Sequence, residues 1–165
     1  MPIVRVSRLD DEAVLRPIDL ATWTADVSPV PRPDLSKPLL VDEQLDDVLV
    51  AEEDGVVCGY VQLSRSGPLP SQRHVLVIDG LAVDPVRQGI GLGRVLLEAA
   101  VSEARRRGAR KVSLRVLAPN TRARSLYESC GFVVEGVLRG EFLLNDVYVD
   151  DMFLALYLDE AESDR

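Results

Sequence analysis

Three glycines fall within five residues in the segment Gln88-Gly89-Ile90-Gly91-Leu92-Gly93-Arg94, between an apolar run and an amphipathic one. Glycine lets a backbone approach a ligand closely. The start of a following helix presents unpaired N–H groups and partial positive charge to an anion. A diphosphate suits that environment, and Arg87 and Arg94 would add charge beside it. The same glycines also serve simply to turn a strand tightly into a helix. Two familiar phosphate loops are excluded by spacing. No Lys-Ser or Lys-Thr follows the glycines, as a P-loop requires. A Gly-x-Gly-x-x-Gly dinucleotide fingerprint fails in both frames, because Arg94 or Leu96 stands where the third glycine belongs.

A second chemistry-bearing stretch is residues 120–132, Asn-Thr-Arg-Ala-Arg-Ser-Leu-Tyr-Glu-Ser-Cys-Gly-Phe. Tyr127 offers a phenol there, although a half-buried helix tyrosine is ordinary packing. Asp79 stands inside the otherwise apolar run HVLVIDGLAV, where an unpaired charge is costly. Strand alternation puts it on the face of Leu81 and Val83. An edge-exposed or hydrogen-bonded structural carboxylate accounts for it equally well. Glu141, Asp146, Asp150, Asp151 and His74 read as surface charge, with proton acceptance as their alternative role. Cys58 and Cys130 read as small apolar packing residues, since a thiol nucleophile needs a nearby His and the sole His74 ends a distant strand. Two Cys and one His exclude a disulfide framework and a Cys/His zinc site.

Placing these groups requires a scaffold, and the hydropathy pattern supplies one. Residues 3–7 alternate as a strand, and the acidic group Asp10, Asp11 and Glu12 suits the start of a helix over 13–23. Residues 28–38 hold four prolines in eleven positions and read as a shaped surface loop, with Trp23 and this loop as walls of an acceptor pocket. Strands over 48–52 and 56–64 flank Asp54-Gly55, a tight-turn pair. A strand over 74–83 leads through the glycines to a helix over 94–107, with Val95, Leu96, Ala99, Ala100 and Ala104 as its apolar stripe and Gly108 as its stop. A strand over 111–117, a helix over 120–129 and two strands, 132–144 and 147–158, around Asn145-Asp146 complete the order. The strand–helix–strand crossover should be parallel and right-handed, and the flanking pairs antiparallel.

The 165 residues, 47% apolar and 28% charged, describe one ordinary globular domain, 1–165. A net charge of −8 argues against nucleic-acid or anionic-membrane binding by bulk electrostatics. No N-terminal apolar segment and no uninterrupted apolar run of ~18 residues occurs, so a cytoplasmic protein without signal peptide or membrane span is expected.

Gln88-x-x-Gly91-x-Gly93, following LAVDP, resembles the acyl-CoA pyrophosphate loop of the GNAT superfamily of N-acyltransferases, Gln/Arg-x-x-Gly-x-Gly/Ala. Asn120, Ala123, Tyr127, Gly131 and Phe132 are similar in every fixed position to that family's second signature, Asn-x-x-Ala-x-x-x-Tyr-x-x-x-Gly-Phe. The two occur in the family's order and separation. The resemblance is good from Val75 to Leu158 and extends to the first seventy residues only in element order.

The resemblance implies a mixed α/β fold: a mostly antiparallel sheet of about seven strands, helices on both faces, and a splayed parallel pair that holds CoA. Residues 1–73 would be the variable, acceptor-binding half and 74–158 the CoA-binding half. Leu81, Ala82 and Val83 would pair with pantetheine through backbone groups. Gln88, Gly89, Ile90, Gly91, Leu92, Gly93 and Arg94 would hold the diphosphate. Asn120 would contact the cofactor near its thioester, and Arg122 or Arg124 would reach phosphates unless they are solvated helix charges. Tyr127 would protonate the leaving thiolate, a backbone N–H near Leu81 or Val83 would stabilise the oxyanion, and Asp79 would accept the amine's proton. The expected donor is acetyl-CoA, with no metal, and the acceptor is a small amino-acid-like or polyamine-like primary amine. Protein N-terminal or lysine amines, and a non-catalytic acyl-CoA sensor, are the alternatives. The last two strands can also pair across a homodimer.

Overall fold

The computed structural model describes residues 1–158; residues 159–165 of the expected domain lie outside the described part. Seven strands form one sheet: β1 (Ile3–Val6), β2 (Val48–Glu53), β3 (Val56–Arg65), β4 (Val75–Val83), β5 (Lys111–Leu117), β6 (Val133–Leu144) and β7 (Val147–Tyr157), in the order β1-β2-β3-β4-β5-β7-β6. Every neighbouring pair is antiparallel except β4 and β5. The turn residues explain the hairpins. Asp54 and Gly55 adopt φ of +52° and +77°, and Asn145 and Asp146 adopt +48° and +62°, the backbone sense that matches the twist of flanking strands.

Helix α1 (Glu12–Thr22) covers one face, and α2 (Leu92–Arg106) and α3 (Thr121–Ser129) cover the other. α1 buries Leu15 and Ile18 against Val48, Val50, Tyr60 and Ala82. α2 turns Leu92, Leu96, Leu97, Ala100, Val101 and Ala104 inward, so its buried stripe takes in Leu97 and Val101 and leaves Val95 and Ala99 at its margin. Burying a Leu-sized side chain contributes about 1.5–3 kcal/mol, so this stripe fixes α2 on the sheet. Its last turn carries Arg105 and Arg106 at the negative end of the helix dipole.

One irregularity matters for function. In the β3–β4 register Gln62 faces Gly80 and Leu63 faces Ile78, which leaves Asp79 as the extra residue of a β-bulge. The bulge breaks the alternation. Leu76, Ile78, Leu81 and Val83 all contribute to the core beneath α2 and α3, while Ala82 packs on the α1 side. The inserted residue resets the phase between Ile78 and Leu81, so alternation no longer assigns Asp79 to the face of Leu81 and Val83.

Candidate functional site

The parallel rungs between β4 and β5 run from Val75–Lys111 to Ile78–Leu114 and stop there. β4 continues to Val83 and β5 to Leu117, so two strands diverge inside a continuous sheet. A cleft of about 580 Å³ occupies the opening. Leu81 and Val83 form one wall, and Asn120, Ala123 and Tyr127 of the α3 region form another. Thr22, Thr24 and Val27 reach it from the end of α1.

The direction of the β4 backbone follows from one hydrogen bond. Asp84 N–H donates to the Cys58 carbonyl at 2.9 Å. Antiparallel pairs alternate between bonded and non-bonded, so Ala82 exchanges its backbone bonds with Tyr60. Leu81 and Val83 must turn their N–H and C=O groups away from β3, into the opening. Ala82 lines the cleft, but its backbone groups are directed at β3. The Val83 carbonyl already accepts Gln88 Nε2 at 2.9 Å.

Between β4 and α2 the chain makes a short turn, in which Asp84 Oδ1 accepts the Val86 N–H at 3.1 Å. Gly89 and Gly91 then take φ of +84° and +93°. Gly91 is the residue before α2, without a capping side chain, and Val95 N–H makes the first helical bond to its carbonyl. The N–H groups of Leu92, Gly93 and Arg94 thus have no partner within the helix, and no acidic residue occupies its first turn. That is a site for an anion. A Cβ on Gly93 would approach Leu126 Cδ2 to 3.1 Å, so this glycine serves the close packing of α2 on α3. Ile90 is exposed and does not line the cleft.

The arginines divide. Arg122 Nη1 donates to Gln88 Oε1 at 2.5 Å, so the Gln88 side chain braces β4 to α3 rather than standing free. Arg94 lines the cleft and donates to Ser129 Oγ at 2.8 Å. Arg87 turns to Glu53 at 3.0 Å, which neutralises the charge expected beside the loop. Arg124 Nη1 donates to the Ala118 carbonyl, and its buried Nε has no partner among the described residues.

Asn120 caps α3, its Oδ1 accepting the Ala123 N–H at 3.2 Å. Tyr127 lies two turns further on, 9% exposed, with its ring centroid 6.1 Å from that of Phe132. Its hydroxyl has no hydrogen-bond partner among the described residues. Burial pushes its pKa up to about 12, so the group is a proton donor at neutral pH. Asp79 is exposed, lacks an ion-pair or hydrogen-bond partner among the described residues, and lies at the first position of β4 past the last rung, outside the cleft wall.

Asp151 corrects the surface-charge expectation. It is 2% exposed and accepts Arg115 Nε at 2.6 Å. Asp150 accepts the Gly140 N–H at 2.8 Å. Cys58 is buried and donates to the Ala51 carbonyl, in keeping with a packing role. Trp23 closes the proline-rich loop through Nε1 to the Val30 carbonyl at 3.0 Å, and Thr22, Thr24 and Val27 supply the wall instead. Nothing in the spacing of those three residues marks them, because their place depends on how α1 crosses the sheet.

Comparison with known proteins places this geometry. An L-methionine sulfoximine/L-methionine sulfone acetyltransferase of Salmonella typhimurium is 34% identical over 113 residues, 68% of this chain and 66% of that protein. The L-amino acid N-acyltransferase MnaT of Escherichia coli is 35% identical over the same length, 68% of this chain and 65% of its own. The match thus spans just under two thirds of these relatives. A [ribosomal protein bS18]-alanine N-acetyltransferase of Escherichia coli is 41% identical over 76 residues, 46% of this chain and 51% of that protein. Among solved structures, yncA of Salmonella typhimurium, described with its cofactor acetyl-CoA, superposes with a TM-score of 0.81 at 26% identity, covering 100% of this chain and 98% of that one. The sequence model of the Acetyltransferase (GNAT) family matches residues 16–132, from α1 through Phe132. That span contains the glycine turn, the diverging strands and Tyr127, and with them the chain belongs to the GNAT acetyltransferase family.

Proposed function

We propose that the protein is an N-acetyltransferase that moves the acetyl group of acetyl-CoA onto the primary amine of a small, amino-acid-like molecule by direct attack. The observation that carries this reading is the cleft through the opening between β4 and β5. It brings the outward backbone of Leu81 and Val83 together with the protonated hydroxyl of Tyr127, whose side chain is largely buried. The unpaired N–H groups of Leu92, Gly93 and Arg94 receive the diphosphate of the donor. Leu81 and Val83 extend β4 hydrogen bonding to the pantetheine amides.

The chemistry needs three proton movements. The acceptor ammonium gives a proton to Asp79, directly or through water, which frees the nitrogen lone pair. The nitrogen then bonds to the thioester carbon, and the carbonyl electron pair moves to oxygen, where a β4 N–H stabilises it. Collapse re-forms the carbonyl and breaks the carbon–sulfur bond. Tyr127 donates its proton to the departing sulfur, and the nitrogen sheds its second proton to return the phenolate to the phenol, leaving the neutral amide and CoA thiol.

The relatives' activities on L-methionine derivatives and L-amino acids support a small acceptor. A protein N-terminal amine is the second reading, favoured by the ribosomal relative. The test is a screen of amino acids, polyamines and peptides that follows CoA release. Turnover confined to free amino acids and small amines supports the proposal, turnover of peptides alone selects the second reading, and CoA release by none of them overturns both.

A further inference from the structure

Arg115 is the first residue of β5 beyond the last rung with β4, as Asp79 is the first of β4. The rungs alternate faces. Leu114 and Ile78 point into the core under α2 and α3, so Arg115 belongs to the opposite face, the one α1 covers further along the sheet. An arginine there stands where the strands begin to diverge, outside the cleft lining, with an unpaired carboxylate at the matching position of the facing strand.

Its surroundings hold it rigidly. The Nε and Nη2 groups both turn to the same oxygen, Oδ2 of the buried Asp151. The guanidinium carbon lies 4.8 Å from the Phe153 ring centroid and 6.0 Å from that of Phe142. Nη1 has no partner among the described residues, and 49% of the side chain remains exposed. Such an arginine has already lost the rotamer freedom that an exposed one would lose on binding a ligand. An ion pair that served only to neutralise Asp151 would not need an outward-facing half.

We propose that Arg115 anchors the α-carboxylate of the acceptor, so that the substrate class is α-amino acids bound as zwitterions. The carboxylate meets Nη1 and the outer edge of the guanidinium, and the ammonium lies toward Asp79 at the facing strand. The two charges of the ligand thereby oppose two charges on the two diverging strands, with the amine at the opening where the thioester is delivered. Polyamines offer Arg115 only repulsion. This assignment rests on the acetyltransferase reading above.

The experiment compares L-methionine with methioninamide and with the amine that lacks the carboxyl group, each given to the wild-type protein saturated with acetyl-CoA. The expected result is a kcat/KM for the free acid about 10- to 100-fold above both analogues, the range of one charged hydrogen-bonded contact. The amide carries the more acidic ammonium, so its intrinsic reactivity works against this outcome. In Arg115→Gln the preference should vanish through KM, with the thermal shift on adding acetyl-CoA retained. Arg115→Lys, which keeps charge without the fork, should lie between. Because Arg115→Gln strands a buried carboxylate, the double variant Arg115→Gln, Asp151→Asn provides the same measurement should the single variant not fold. Equal turnover of acid, amide and amine by the wild type overturns the anchor and leaves the transferase standing. Absence of CoA release from every amine overturns the transferase, and the anchor with it.

Discussion

Gly59 runs so close beneath β4 that a Cβ at that position would lie 2.6 Å from the Ala82 carbonyl oxygen and 3.2 Å from Val83 Cα. Both near atoms are backbone of the strand whose far edge faces the cleft, and Leu96 Cδ1 closes the third side at 3.2 Å. β4 cannot yield toward α2 without disturbing that core. Gly59→Ala should therefore cost about 1–3 kcal/mol of stability, the usual range for overpacking. It should also weaken acetyl-CoA binding by moving Leu81 and Val83. Denaturant unfolding and thermal shift with cofactor measure the two effects; a destabilised variant with unaltered cofactor affinity would place the binding edge elsewhere.

Acetyl-CoA should stabilise the wild type by about 2.7 kcal/mol when present at ~100 times its dissociation constant. Gly91→Glu should remove that gain. Nothing lies within 4 Å of a Cβ at Gly91, so the defect is not a clash within the fold. It is the φ of +93°, which costs an L-residue about 1–2 kcal/mol, and a negative charge set where the helix presents its N–H groups. A thermal shift as large as that of the wild type would move the diphosphate away from α2.

Tyr127→Phe should lower kcat by ~10²–10⁴ while leaving acetyl-CoA affinity nearly unchanged, because the ring and the anion site both remain. Full activity would reduce Tyr127 to a packing residue.

The same substitution has a signature in stability. The phenol titrates near 10 when unfolded and about 12 when folded, so between those values the native state retains a proton that the unfolded state has lost. Stability from this group is complete below pH 10 and is lost as pH rises toward 12. Tyr127→Phe should accordingly show a shallower fall between pH 10 and 12 than the wild type. Tyr60, also raised by burial and by Asp19, continues to contribute to the fall in both proteins. Parallel curves would mean that the hydroxyl is solvated.

Asp79→Asn should lower acyl transfer most near neutral pH and recover partly at high pH, where the acceptor is already a free amine. The bulge leaves this side chain outside the core, so stability and acetyl-CoA binding should be retained. Joint loss of stability and cofactor binding would make the carboxylate structural and direct the search for a base to the last hairpin.

Features that depend on neighbours along the chain were legible from the residues alone. The turn residues Asp54-Gly55 and Asn145-Asp146 specify positive φ, and Asn120 caps the helix three residues before Ala123. The glycines before α2 mark an anion site by the same local rules, and Tyr127 follows Asn120 by two helical turns onto a common face. Features that depend on register between distant segments emerged only with the folded chain. The bulge at Asp79 arises because β3 pairs one residue short, and alternation then no longer assigns the carboxylate its face. Asp151 looks like one of several acidic residues in a hairpin until β7 is laid beside β5 and Arg115 meets it. Thr22, Thr24 and Val27 join the cleft only because α1 crosses the sheet at its opening. Backbone sterics act within a few residues, whereas strand register is a property of pairs far apart in sequence, and in this protein the acceptor side is built from such pairs.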